Sequence, residues 1–137
     1  MQEEAGDAAF RAVRNALEAG DEAAMRVEVR ALLEQGRPAR AILDRGLVVA
    51  MDRVGARFRN GEVFIPEVLL SAQAMDAAIE LLAPQLAEAH AETRGRILLG
   101  TVAGDMHSIG KIVVATMLRG AGFDVVDLGI NISGETF

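Results

Sequence analysis

The chain has 137 residues, no cysteine, and a net charge of −6 from 14 Lys and Arg against 20 Asp and Glu. Its 51% apolar content is enough to build a sizeable core, in one ordinary domain or two small ones. The acidic balance disfavours a nucleic-acid or anionic-membrane surface, and the absence of cysteine excludes disulfides and thiolate metal sites while permitting a cytoplasmic location. Met1-Gln2-Glu3-Glu4 is acidic and no long uncharged apolar run follows it, so neither a signal peptide nor a transmembrane span is expected.

Residues 1–92 read as an all-helical domain. Phe10 to Ala19 forms a short helix stopped at Gly20, Asp21 can N-cap a second that runs to Gly36, and Pro38 suits the first turn of a third. On the third helix Asp44, Leu47, Met51, Val54 and Phe58 recur at spacings of three and four, which places them on one face ending near the turn Asn60-Gly61. A fourth helix opens at Pro66 with Val68, Ala72, Met75, Ile79 and Leu82 on one stripe, and Pro84 is expected to break it. Four amphipathic helices with short connections predict a bundle. The polar stretch Glu88 to Gly95 is the linker candidate, and His90 within it, lacking a partner pattern, reads as surface.

Residues 93–137 change character. Arg96 to Val102 reads as a buried parallel strand, Ile109 to Arg119 as a helix ending at Gly120, and Asp124 to Leu128 as a second strand. Between the first strand and its helix lies Gly104-Asp105-Met106-His107-Ser108-Ile109-Gly110-Lys111, the usual position for a ligand in an open α/β sheet. An Asp two residues before a His can hydrogen-bond one ring nitrogen and leave the other free for a metal, and Gly110 lets backbone approach a bulky ligand. Plainer roles exist for each residue. A loop His is more often solvated than ligating, Asp105 and Ser108 can each cap the helix, and Gly104 and Gly110 suit any tight strand-to-helix loop. Phe58, Ile65, Met51 and Met75 would most often be bundle core, and for the two methionines that is the preferred reading.

Asp-x-His-x-x-Gly in a strand-loop-helix setting resembles the cobalamin-binding motif of methionine synthase and of the small corrinoid proteins of methyltransferase systems. The likeness extends through Gly100-Thr101-Val102-Ala103-Gly104 and through Gly122-Phe123-Asp124-Val125-Val126-Asp127-Leu128-Gly129. Upstream, Val54 to Val68 resembles the helical cap of cobalamin-dependent methyltransferases. The resemblance implies a four-helix bundle cap followed by a doubly wound, Rossmann-like parallel sheet domain that binds cobalamin, a cobalt corrinoid. It further implies that His107 is the lower axial cobalt ligand and that Asp105 orients and tunes its ring. Gly104, Met106, Ser108, Ile109 and Gly110 would line the cofactor, and Phe58, Ile65 and Val68 would cover its upper face. Asp44 falls near a position where methionine synthase has a carboxylate close to the reactive ligand.

The implied function is a methyl carrier rather than a self-sufficient enzyme: it would take a methyl group on cobalt from a partner methyltransferase and pass it to a second acceptor. A reductive reactivase is a further implied partner. The cofactor supplies the hard chemistry, the protein its ligation and cover.

Two departures from the pattern bear on the site. Ser108 and Ile112 stand where the methyltransferase corrinoid proteins commonly carry Asp and Asn. In the family, Ser-x-Leu and Gly-Gly elements follow and hold the dimethylbenzimidazole tail, whereas this chain ends as its next helix should begin, at Ser133 to Phe137. Two strands are too few for an independent parallel sheet, so the sheet domain reads as incomplete: a fragment of a longer protein, or one completed by another chain, for example as a homodimer. Two alternatives stand beside the carrier. A cobalamin-dependent sensor or regulator has a similar layout, though the light-sensing type relies on a bundle tryptophan and this chain has none. A non-cobalamin flavodoxin-like module would explain the strands and glycines but not the cap. Cobalamin-dependent mutases share the histidine motif and generally lack the cap.

Overall fold

The computed structural model describes residues 8–88 and 94–137. The reading of Met1 to Glu4, the placement of His90 and most of the linker candidate lie outside them. The chain divides into two compact units, Met1–Ala91 and Glu92–Phe137.

The first unit is the expected helical bundle. Its helices are α1 (Arg11–Glu18), α2 (Glu22–Glu34), a composite α3 (residues 39–59) and α4 (Ile65–Glu88). Local chemistry sets most of the boundaries. Gly20, at φ +66, ends α1 with its own N–H on the Leu17 carbonyl and that of Asp21 on Ala16, each at 2.9 Å. The Asp21 carboxylate then accepts the Ala24 N–H at 2.9 Å and caps α2. At the start of α4, Glu67 reaches back to the Phe64 N–H at 3.1 Å, with Pro66 in the first turn. All four helices feed one core: Val13 and Leu17 of α1, Met25 and Val29 of α2, Leu47 and Met51 of α3, Val68, Met75 and Leu82 of α4.

Two features depart from the simple helical reading. First, α3 is built from Ala39–Ala41, a π-helical stretch Ile42–Val48, and Val49–Arg59. A π turn takes more residues than an α turn, so spacings of three and four lose register across it. Ile42, Gly46 and Leu47 are therefore buried while Asp44 is exposed, off the face it was expected to share with Leu47 and Met51. Gly46 also lets α1 come close, since a Cβ there would lie 3.3 Å from Cγ1 of Val13. The Arg45 carbonyl inside the π stretch accepts from Nε and Nη2 of the buried Arg14 at 2.8 and 2.6 Å. Second, Pro84 does not break α4, which continues to Glu88. Pro84 and Glu80, whose carbonyl loses the usual N–H partner, are both exposed, so water can take that carbonyl.

The second unit is a parallel pair, β1 (Arg96–Leu99) and β2 (Asp124–Asp127), joined by α5 (Ile109–Gly120). Arg96 lies opposite Asp124 and Leu99 opposite Asp127, and an isolated parallel bridge joins Val102 to Ile132. The expected strand to Val102 thus loses regular pairing after Leu99. Its expected burial is also incomplete: Val125 is buried and Ile97 and Leu99 half-buried, but Leu98 is 49% and Val126 38% exposed. Within this unit helix α5 packs on β2, leaving Leu98 and Val126 partly exposed. Residues 133–137 form a turn rather than the start of a helix, with the Thr136 N–H on the Ser133 carbonyl at 3.0 Å. The Phe137 ring lies against Gly100, where an added Cβ would come within 2.8 Å of Cζ. Among the described residues no helix is long and apolar enough to cross a membrane.

Candidate functional site

The loop between β1 and α5 carries the histidine outward. Oδ1 of Asp105 takes two bonds from the same residue, the His107 backbone N–H at 2.8 Å and ring Nδ1 at 2.6 Å. The His107 side chain is 96% exposed, so this one carboxylate oxygen holds a ring that otherwise stands in solvent. A neutral ring donating through Nδ1 leaves Nε2 with its lone pair pointing away from the loop. The His107 amide, and then its ring, hold the Asp105 carboxyl below the usual carboxylate range.

The plainer capping role open to Asp105 and to Ser108 is filled by neither. Asp105 is occupied by His107, and Ser108, although it stands at the N-cap position of α5, makes no side-chain capping bond.

The loop is held from beneath by residues to which the sequence reading gave no role. The Thr101 hydroxyl donates to the His107 carbonyl at 2.8 Å. From the segment after β2, Asn131 accepts the Gly104 N–H on its side-chain oxygen at 2.8 Å and donates its own N–H to the Asp105 carbonyl at 3.1 Å. Lys111, in the first turn of α5, binds both carboxylate oxygens of Asp127 at the end of β2, at 2.6 and 2.5 Å. That Lys111 bond, and then the Gly129 N–H at 2.8 Å, hold the Asp127 carboxyl below its ordinary range. Asn131 has φ 54, and among non-glycines Asn is one of the few residue types that tolerate the left-handed region, which was the one local signal available.

These residues fit a flat metallo-cofactor better than a bare ion. Among the described residues no three His, Cys, Asp or Glu side chains converge to hold a metal, so His107 suits a metal that brings its other ligands with it. The surroundings agree. A Cβ at Gly104, Gly110 or Gly129 would meet nothing within 4 Å, so bare backbone faces open space, while Met106, next to the histidine in the chain, and Val102 stand 66% and 62% exposed. Exposed apolar side chains in the same loop as an oriented ring nitrogen suit a large, largely apolar ligand.

The remaining candidates lie in the helical unit. Phe58 is half-buried at the end of α3 and Ile65, in the first turn of α4, is 37% exposed. Val68 has no exposed surface and packs in the core, so the expectation that its own side chain covers a ligand does not match its position. Asp44 is exposed and ion-paired with Arg40 at 2.6 Å.

Residues 9–83 and residues 95–137 each match a family model described as a B12 binding domain. The chain belongs to the B12-binding family. This B12-binding chain is 42% identical over 119 residues to trimethylamine corrinoid protein 1 of Methanosarcina mazei, covering 85% of the chain and 55% of that protein. It is 46% identical over 98 residues to trimethylamine corrinoid protein 2 of Methanosarcina acetivorans, covering 70% and 45%. Among solved structures it resembles a chain of the methanol:cobalamin methyltransferase complex MtaBC from Methanosarcina barkeri, with a TM-score of 0.81, 31% identity and 92% and 48% coverage. It also resembles the monomethylamine corrinoid protein of the same organism, with a TM-score of 0.63, 35% identity and 94% and 60% coverage. The chain spans about half the length of the curated relatives it matches. The expected family, its cofactor cobalamin, and the order of helical bundle then parallel α/β unit are thereby borne out, and the non-cobalamin flavodoxin-like reading is set aside.

Proposed function

We propose that this chain is the cobalamin-holding part of a corrinoid methyl carrier, a component of a methyltransferase system rather than an enzyme by itself. The observation that carries the reading is His107, presented to solvent and oriented by Asp105 at 2.6 Å, in a family defined by B12 binding. Bound cobalamin supplies a cobalt centre that can accept and release a methyl group. With the cofactor bound, His107 would hold the cobalt through Nε2, and Asp105 would keep its hydrogen bond to Nδ1 and so fix the tautomer and the orientation of the ring. Gly104, Ser108, Ile109 and Gly110 would give the cofactor close backbone approach, and the exposed Met106 and Val102 would offer it apolar contact. In the helical domain, which we place at residues 1–92 with the cofactor domain at 93–137, Phe58 and Ile65 supply apolar cover. Val68 supports that cover from within the core, and Asp44 offers a carboxylate on the same helix as Phe58.

The partners follow from the same reading. The relatives are named as methylamine corrinoid proteins and one structural match is a methanol:cobalamin methyltransferase complex, which supports a substrate-specific methyltransferase as the methyl donor's holder. A methyl-acceptor protein and a reductive reactivase complete the cycle, and a sheet of two strands among the described residues, with Leu98 and Val126 partly exposed, suits a second copy of the chain. All of this chemistry is placed in the cytoplasm.

The test is to load the protein labelled with ¹⁵N-histidine with cob(II)alamin and read the nitrogen hyperfine pattern. A protein nitrogen on cobalt is expected in the wild type and lost in His107→Ala. An unchanged pattern in His107→Ala removes the ligand assignment.

A further inference from the structure

We propose that Asn131 is a positioning residue for cofactor ligation: it grips the histidine loop at two successive residues, Gly104 and Asp105, and so sets where the Asp105–His107 pair stands. The inference rests on the ligand role proposed above for His107.

Asn131 is the one described non-glycine residue with a left-handed backbone, at φ 54. A residue of that kind often serves only to turn the chain. Here both of its polar ends are spent on the loop 27 residues away: its side-chain oxygen takes the Gly104 N–H at 2.8 Å and its N–H goes to the Asp105 carbonyl at 3.1 Å. The grip sits on a fixed support. On one side of Asn131, the Gly129 carbonyl accepts the Thr101 N–H at 3.0 Å; on the other, the Ile132 N–H donates to the Thr101 carbonyl at 2.8 Å. Gly129 is tied in turn to Asp127, and Asp127 to Lys111. The chain is therefore pinned at Gly129 and Ile132, on either side of Asn131, and Asn131 can transmit that restraint to residues 104 and 105.

The histidine depends on this restraint because little else orients it. Its ring is almost wholly in solvent and its hydrogen-bond partner is Asp105. The Asp105 N–H rests on the Val102 carbonyl at 3.1 Å, so Asn131 holds the peptide groups on either side of that point; loosening them lets the carboxylate wander, and a wandering ring must be ordered again each time it ligates. That ordering cost appears as lost affinity without any loss of a ligand atom.

Three substitutions separate the backbone role from the side-chain role. Asn131→Gly keeps the left-handed conformation and the N–H but loses the acceptor; Asn131→Asp keeps both; His107→Ala removes the ligand. The probe is aquocobinamide, a corrinoid with no nucleotide base, so that any nitrogen ligation seen in the visible spectrum comes from protein. Loss of one hydrogen bond predicts histidine ligation weakened about three- to tenfold in Asn131→Gly, with exchange of the Gly104 amide in the cofactor-free protein accelerated by a similar factor. Asn131→Asp is expected to restore both to near wild type. The proposal is overturned if Asn131→Gly frees the Gly104 amide yet ligates as tightly as the wild type, or if Asn131→Asp fails to rescue. A His107→Ala protein that still shows nitrogen ligation, or a wild type that shows none, overturns the ligand reading itself and the positioning role with it. The exchange arm tells that failure apart from a failure of the grip alone.

Discussion

Two residues three positions apart illustrate how burial divides labour at the start of α4. Ile65 leaves 37% of its surface exposed, whereas Val68 leaves none. A corrin resting on this helix end would touch Ile65, and Val68 would hold the helix that presents it. Val68→Ala is accordingly expected to cost about 2 kcal/mol of bundle stability, in proportion to the buried apolar surface removed. Ile65→Ala removes one carbon more from a side chain that is 37% exposed, so it should cost a similar amount of stability or less while weakening hydroxocobalamin binding more than Val68→Ala does. Thermal melts by circular dichroism and a spectrophotometric titration read the two quantities separately. If both substitutions lower stability and neither changes binding, the cover assigned to this helix end is wrong.

At the scale of elements, the Lys111–Asp127 pair fastens the first turn of α5 to the end of β2, directly under the histidine loop. Asp127 is held below the ordinary carboxylate range in the folded chain by Lys111 and by the Gly129 N–H. Its folded value thus lies below its unfolded one, so it contributes stability at and above the ordinary carboxylate range. That contribution is lost as the pH falls from there through the depressed folded value. Acid should therefore loosen the α5–β2 unit in the wild type, while Asp127→Asn should be weaker at neutral pH and show less further loss on acidification. Amide exchange at Val125 and Leu128 across that pH range measures it, and parallel pH profiles for the two proteins would count against the pair.

The same scale shows what was legible beforehand. The caps at Asp21 and Glu67 and the stop at Gly20 are local, so residue order reveals them. The π stretch carries no comparable local mark, which is why Asp44 was placed on the wrong face. The apolar run at Arg96 to Val102 announces a parallel strand covered on both faces, but does not say which cover the chain itself provides. In the site, the Asp105–His107 contact spans two residues and was visible from spacing. Asn131 with Gly104, Lys111 with Asp127, and Thr101 with the His107 carbonyl depend on the parallel pairing that brings the loop and the segment after β2 together.

Across the whole molecule, the two units draw on unequal cores. The helical unit buries large side chains from four helices, including Phe10, Leu17, Met25, Leu47, Met51, Met75 and Leu82, with essentially no exposure. The second unit has two four-residue strands, one covering helix, and Leu98, Val102, Met106 and Val126 open to solvent. Opening free energy follows local burial, so the amides of β1 and β2 should exchange well before those of α3 and α4 in the cofactor-free protein. The chain contains no Trp and no Tyr, which makes residue-resolved hydrogen exchange the suitable probe. A ligand that binds only the folded unit stabilises it by mass action, so hydroxocobalamin at about a hundred times its dissociation constant should slow globally limited exchange in β1, β2 and α5 roughly a hundredfold. Equal protection in both units without cofactor would contradict the unequal cores. Unchanged protection of β1 and β2 at a cofactor concentration that saturates the visible spectral change would mean that cobalamin binds elsewhere on the chain.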